Sequence, residues 1–153
     1  MAHTIVLWEP RIPQNVGSIA RLCAGTNSRL HLVGQLGFLL SSRHLARAGL
    51  DYWPMVDWHH FIDANAYRDE LMQKSCSFYS TKAKESYADK AYDKSEFLVF
   101  GGEDRGLPED MLKSDSYHLP IDKSKVRSLN LSQSVAIVLY EALRQNNFFT
   151  IGD

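Results

Sequence analysis

Only two cysteines occur in the 153 residues, Cys23 and Cys76, and no C-x-x-C pair is present. That excludes a disulfide framework or a thiolate metal site as the source of stability, and the apolar neighbours of both residues fit reduced, buried thiols. Charge of one sign is equally scarce: 17 basic against 18 acidic side chains leave a formal net charge of −1. Such a balance excludes a generic polyanion binder with a uniformly basic surface. No apolar run approaches the roughly 20 residues that cross a bilayer. Met1-Ala2-His3-Thr4 leads straight into Ile5-Val6-Leu7-Trp8 without the basic start and cleavage site of a secretory leader, so a cytoplasmic, membrane-free protein is expected. Glycine-rich phosphate signatures are missing too. Neither G-x-G-x-x-G nor G-x-x-x-x-G-K-[ST] occurs, and there is no G-x-S-x-G, which removes the dinucleotide fingerprint, the Walker loop and the hydrolase elbow.

What is present is the composition of an ordinary folded protein, 44% hydrophobic and 23% charged, at a length that suits one domain over residues 1–153. Strand-like runs fall at 4–8, 29–33, 55–58, 76–80, 97–100 and 116–119. Helical stretches are expected at 15–24 ending at Gly25, 42–48 ending at Gly49, 59–73, 108–113 and 132–146. Alternation of the two predicts an α/β fold with a mostly parallel sheet flanked by helices. Residues 81–96 read as a mobile surface connection. The last helix, with Val135, Ala136, Ile137, Val138, Leu139, Ala142 and Leu143, is apolar around so much of its circumference that one side needs a second cover, a partner subunit being expected and loops the alternative.

Three segments carry candidate chemistry. Gly101-Gly102-Glu103-Asp104-Arg105-Gly106 follows a buried strand, the place where α/β sheets bind ligands, and glycines there let a ligand reach the backbone; a plain strand-to-helix turn is the alternative. Asn15-Val16-Gly17-Ser18-Ile19-Ala20-Arg21 opens the first helix, with Asn15 as a candidate N-cap and Arg21 about 240° away from it around an ideal helix. Arg127-Ser128-Leu129-Asn130-Leu131-Ser132-Gln133 sets polar groups at alternate positions before the last helix, and Ser132 or Asn130 can cap it. His59, His60 and Asp63 do not reach the three or four ligands of a zinc site, so no metal is expected. Basic residues cluster locally, with Arg11, Arg21, Arg29, Arg43 and Arg47 early in the chain and Lys123, Lys125 and Arg127 beside the last motif, while acidic residues gather between Asp57 and Glu96.

In this order, Asn15-x-Gly17-x-x-x-Arg21, Phe100-Gly101-Gly102-Glu103-x-x-Gly106-Leu107-Pro108 and Arg127-Ser128-Leu129-Asn130-Leu131-Ser132 resemble the three motifs of SPOUT-superfamily RNA ribose 2′-O-methyltransferases. Leu7-Trp8-Glu9-Pro10-x-Ile12-Pro13-x-Asn15, Arg47-Ala48-Gly49-Leu50-Asp51-Tyr52 and Tyr140-Glu141-Ala142-x-Arg144-Gln145 are more particularly similar to its branch of small bacterial tRNA wobble-nucleotide (cytidine/uridine) 2′-O-methyltransferases. The resemblance covers nearly the whole chain.

It implies a deep C-terminal trefoil knot, an exception to the general absence of knots, together with a homodimer and an S-adenosyl-L-methionine pocket. It also implies cofactor contacts at Tyr79, Ser80, Thr81, Gly101, Gly102, Glu103, Leu119, Pro120, Ile121, Ser128 and Leu129. Asn15, Arg21, Ser128 and Asn130 take the positions associated with catalysis or substrate placement. Arg11, Arg21, Arg43, Arg47, Lys125 and Arg127 become candidates for backbone contacts to a tRNA anticodon stem-loop, which position RNA without reading its sequence. Arginine stays charged in proteins, so Arg21 is expected to grip a phosphate and steady developing alkoxide, while an RNA phosphate oxygen, Glu103 or water takes the ribose proton. The rival readings are methylation of another tRNA or rRNA position, a non-catalytic RNA-binding module on the same fold, and a phosphate-binding hydrolase.

Overall fold

The computed structural model describes residues 2–40 and 50–152; the expected helix at 42–48, with Arg43 and Arg47, lies outside them. Among the described residues there are seven strands, β1 (Thr4–Trp8), β2 (Arg29–Val33), β3 (Trp58–Phe61), β4 (Cys76–Tyr79), β5 (Glu85–Ser86), β6 (Phe97–Gly101) and β7 (Ser116–His118). Three α-helices accompany them, α1 (Pro13–Thr26), α2 (Ala64–Leu71) and α3 (Leu131–Gln145). The strands form one sheet in the order β3-β2-β1-β6-β4-β7-β5, and every neighbouring pair is parallel. The expected α/β architecture is thus realised with a wholly parallel sheet.

Central strands covered on both faces must be apolar throughout, and β1 is buried at all five positions. On one face Ile5, Leu7, Leu30, Leu32, Leu98 and Phe100 meet Val16, Ile19 and Ala20 of α1 and Val135, Val138, Leu139, Ala142 and Leu143 of α3. On the other, Val6, Val33, Phe78 and Val99 meet Tyr67 and Leu71 of α2, with Leu107 and Met111. Each large aliphatic side chain so buried contributes roughly 1.5–3 kcal/mol. Cys23 and Cys76 are free thiols, and burial pushes them up to about 12 and about 11.

Several element boundaries differ from the sequence expectation for identifiable reasons. Helix α1 starts at Pro13 and runs through Gly25 to its cap at Asn27, whose left-handed backbone (φ 52°) ends it. The expected strand at 55–58 and helix at 59–73 are replaced by a 3₁₀ turn at Leu50–Met55, strand β3, and α2 starting after Asp63. Here pairing with β2 overrides helical spacing: Phe61 lies 4.9 Å from the His31 ring, and His60 Nε2 donates to Gly34 O at 2.8 Å. The Asp63 carboxylate then caps α2 by accepting from Ala66 N at 3.1 Å. The helix expected at 108–113 is a single 3₁₀ turn, Glu109–Leu112.

Residues 81–96 are built in rather than loose. They supply β5 and the buried Tyr92 and Glu96. Lys90 reaches Glu96 at 2.7 Å, and Gln145 and Asn146 at the end of α3 hold the backbone of Lys90 and Tyr92 at 2.9 and 3.0 Å. Strand β7 lies between β4 and β5 although those two are consecutive in the chain. Residues 80–84 therefore straddle the end of β7, because Tyr79 and Glu85 both pair with Tyr117. Among the described residues no helix is long and apolar enough to cross a membrane.

Candidate active site

Because the strands are parallel, the segments that follow β1, β6, β4 and β7 all emerge at one edge of the sheet. Trp8 pairs with Gly101, Phe100 with Tyr79, and Tyr79 with Tyr117, so the four exits lie at one level. That register brings together Ser80 and Thr81, Gly101–Glu103 in sequence, and Leu119-Pro120-Ile121. The crevice beyond such carboxyl ends is where open α/β sheets place ligands. Lys123 Nζ donates to Thr81 O at 3.0 Å and ties the long segment after β7 to the end of β4. Asp122 fixes the following turn by accepting from the Ser124 hydroxyl at 2.5 Å and from Ser124 N at 3.0 Å, and these bonds, the hydroxyl's first, hold its exposed carboxyl below the usual range. The Asp122-x-Ser124 spacing is the sequence signal for that turn.

Side chains at this edge divide into those spent on the fold and those left free. The Tyr79 phenol points into the core, bonded to Tyr92 at 3.1 Å and Ser77 at 2.9 Å and stacked on Phe100 at 4.8 Å. Burial first, and its tyrosine neighbour second, raise its pKa strongly, so only its main chain remains for a ligand. At Gly101 a Cβ would overlap the backbone of Gly106, and at Gly102 it would overlap the carbonyl of Glu9. Glycine is required at both by chain packing on chain, a different reason from the ligand approach expected from the sequence. The packing is sealed by Gly106 N donating to Gly102 O at 3.0 Å.

Glu103 joins the two halves of the edge. Its Oε2 accepts from Arg11 N at 2.7 Å and Ile12 N at 2.9 Å, clamping the turn between β1 and α1. Its Oε1 is buried without a donor. Arg11 in turn reaches Asp104 at 3.4 Å. Leu119, Ile121 and Leu129 are half-buried, whereas Ser128, Lys125 and Arg127 are exposed around them.

Asn15 and Asn130 meet directly: Asn130 Nδ2 donates to Asn15 Oδ1 at 3.1 Å. Asn15 is not the N-cap, since α1 already starts at Pro13 with Ile12 in that role, and it is 6% exposed. Of the two cap candidates for α3, Asn130 takes the role; its Oδ1 accepts from Ser132 N at 2.9 Å and Gln133 N at 3.3 Å. Arg21 stands apart from this pair. It is exposed, and its guanidinium lies over the Tyr52 ring, 5.4 Å from the centroid. Within one chain the structure thus joins two of the four expected catalytic residues, leaves Ser128 on the rim, and turns Arg21 elsewhere.

A hollow of about 320 Å³ lined by Asn27, Ser28, Arg29 and Asp57 lies at the opposite edge, beside strand beginnings. Among the described residues no group of three or more His, Cys, Asp or Glu could hold a metal ion.

A parallel sheet flanked by helices, with polar loops gathered at the carboxyl edge, defines an α/β protein whose candidate ligand site lies at the strand ends. The model of the SpoU rRNA methylase family matches residues 2–140, and the chain belongs to that family. The tRNA (cytidine(34)-2′-O)-methyltransferase of Methylovorus glucosotrophus is 41% identical over 148 residues, covering 94% of this chain and 96% of that protein. A solved structure concerned with 2-OH methylation of C/U34 on tRNA is 40% identical with a TM-score of 0.88, over 95% of this chain and 97% of that one. The SpoU methyltransferase AviRb of Streptomyces viridochromogenes in complex with AdoMet shares the fold at 18% identity, with a TM-score of 0.84 over 95% of this chain and 61% of that one. The resemblance read from the three motifs is borne out.

Proposed function

We propose that this chain transfers a methyl group from S-adenosylmethionine to the ribose 2′-OH of the wobble nucleotide, cytidine or a modified uridine at position 34, in the tRNA anticodon loop. The observation that carries the reading is the 40% identity, over nearly the full length of both chains, to a structure concerned with C/U34 methylation. Transfer of tritium from labelled S-adenosylmethionine to unmodified tRNA tests it, and tRNA left unlabelled would defeat it.

The residues at the strand ends suit the cofactor. The unpartnered, buried Glu103 Oε1 is a carboxylate oxygen in need of a donor, such as a ribose hydroxyl. Half-buried Leu119, Ile121 and Leu129 offer apolar walls, and the main chain at 79–81, 101–103 and 119–121, with Ser128, offers polar contacts, the mixture a mostly buried ligand needs. When bound, S-adenosylmethionine supplies an electrophilic methyl group. The protein's own task is to align the ribose oxygen with it. Asn130, fixed by its cap and by Asn15, orients the ribose from the wall of the pocket. Arg21 holds an RNA phosphate and steadies charge on the attacking oxygen. With Glu103 Oε2 committed to two backbone amides and Oε1 assigned to a cofactor hydroxyl, the proton goes to water or an RNA phosphate oxygen.

The reading extends to a homodimer, a knot and a cytoplasmic location beside the tRNA. Helix α3 buries Val135, Val138 and Leu139 but leaves Ile137 and Tyr140 38% and 45% exposed. Phe148 packs its ring 6.5 Å from Tyr140. A second copy is the cover proposed for this apolar stripe, and Arg21 of that copy is assigned to the RNA site of its partner. The knot is supported by residues 80–84 straddling the end of β7, the arrangement a chain threaded through an earlier loop requires. Exposed Lys125 and Arg127, together with Arg43 and Arg47, are assigned to the RNA backbone, and Arg11 joins them by exchanging its Asp104 partner for a phosphate.

A further inference from the structure

We infer that Tyr52 is a positioning residue for Arg21, holding the guanidinium by one face so that its in-plane N–H groups stay free for an RNA phosphate; this rests on the phosphate role given to Arg21 above. The guanidinium carbon lies 5.4 Å from the centre of the Tyr52 ring, within the range of a cation–π contact. Three other arginines are held by carboxylates, Arg68 by Asp110 at 2.6 Å, Arg144 by Glu141 at 2.8 Å and Arg11 by Asp104 at 3.4 Å; Arg29 also lies over a ring, 6.0 Å from the centre of Phe97, but donates to Ala2 O at the opposite edge of the sheet. Among the described residues no carboxylate pairs with Arg21. The difference has a chemical consequence. A carboxylate occupies the donor fork and neutralises the charge, whereas an aromatic ring touches only the face and leaves all five donors and the full charge for an anion.

The ring has a rigid seat. Tyr52 lies in the 3₁₀ turn Leu50–Met55, which contains Pro54. Its neighbour Trp53 is buried, with its ring centre 4.7 Å from that of Trp58. Trp53 and Val56 belong to the same core cluster as Val16, Ile19 and Ala20 of α1. One turn of chain therefore fixes Tyr52 against the helix that carries Arg21. Restricting a long, flexible side chain before RNA arrives removes part of the ordering cost of binding.

The test is a double-mutant cycle on the full-length protein: Tyr52→Leu, Tyr52→Phe and Arg21→Ala, with Tyr52→Leu also placed in the Arg21→Ala background. Methylation of tRNA, anisotropy binding of an anticodon stem-loop RNA, S-adenosylmethionine affinity and melting temperature are measured for each. Loss of a partly exposed cation–π contact predicts that Tyr52→Leu weakens RNA binding and kcat/KM by about 3- to 10-fold. Tyr52→Phe keeps at least half of both, and Tyr52→Leu costs nothing more once Arg21 is gone. Cofactor affinity stays at the wild-type value. Equal losses in Tyr52→Leu and Tyr52→Phe, equal losses with and without Arg21, or wild-type behaviour of Tyr52→Leu would each overturn the inference. Tyr52→Met replaces Tyr52→Leu if the latter lowers the melting temperature. If the wild-type protein methylates no tRNA, the proposed function fails, and the coupling in RNA affinity still decides the role of Tyr52.

Discussion

Asn130 performs two jobs with the two ends of one amide. Its oxygen caps α3 and its nitrogen reaches Asn15, so substitutions can separate folding from chemistry. Asn130→Asp keeps an oxygen for the cap but removes the donor to Asn15. We expect its melting temperature to stay within about 3 °C of wild type, equivalent to roughly 1 kcal/mol in a chain of this size, while methyl transfer falls at least tenfold. Asn130→Ala loses both, with about 1 kcal/mol of cap energy added to the loss of activity. Equal rates for Asn130→Asp and wild type would reduce Asn130 to a cap. Gly101 makes the opposite case, a motif residue whose need is steric. Gly101→Ala forces a Cβ into the backbone of Gly106, and overpacking of this kind costs about 1–3 kcal/mol. Denaturant melts should show that loss, and unchanged stability would mean that the loop of residues 101–106 yields easily.

At the scale of elements, the outer edge formed by β2, β3 and α2 carries a pH response. His31 donates or accepts a 2.7 Å bond with Tyr67 and sits among Phe61 and Phe97. Burial first, then the charge of His59, pushes it down from 6.5 to about 4. The unfolded chain therefore binds a proton that the folded chain refuses between those two values, so folding stability falls as the pH is lowered from 6.5 toward 4. Thermal melts across that window should slope downward with acid, and His31→Gln should flatten the slope; an unchanged slope would place the effect elsewhere. This edge is also where sequence reading was least able to see structure. The buried central strands at 4–8, 29–33 and 97–100, helix α1 and helix α3 were legible because each carries an uninterrupted apolar run or a strong helical stripe. Trp58–Phe61 reads equally well as the start of a helix, and only its pairing with β2 decides. Residues 81–96 looked loose because their partners, Gln145 and Asn146, lie over fifty residues away. At the candidate site, Asn15, Glu103 and Asn130 were legible only through the resemblance of the three motifs to a known family, since spacing alone reads Asn15 and Asn130 as ordinary caps. Their mutual contacts, and the Arg21–Tyr52 contact, depend on the sheet order and were not.

For the whole molecule, the proposed function needs a second copy to bring Arg21 to the strand-end site. Ile137→Asp puts a charge into the exposed stripe of α3 without touching the buried face. Light scattering should then report a monomer of about 17.4 kDa in place of a dimer, with tRNA methylation lost and the fold kept by circular dichroism. A monomeric wild type of full activity would remove the second copy from the account. The reaction itself is tested most directly by mass spectrometry of tRNA treated with protein and S-adenosylmethionine, digested first to oligonucleotides and then to nucleosides. A single added methyl group on the ribose of nucleotide 34 is expected. A methyl group on a base, or on a ribose outside the wobble position, would contradict the proposed function.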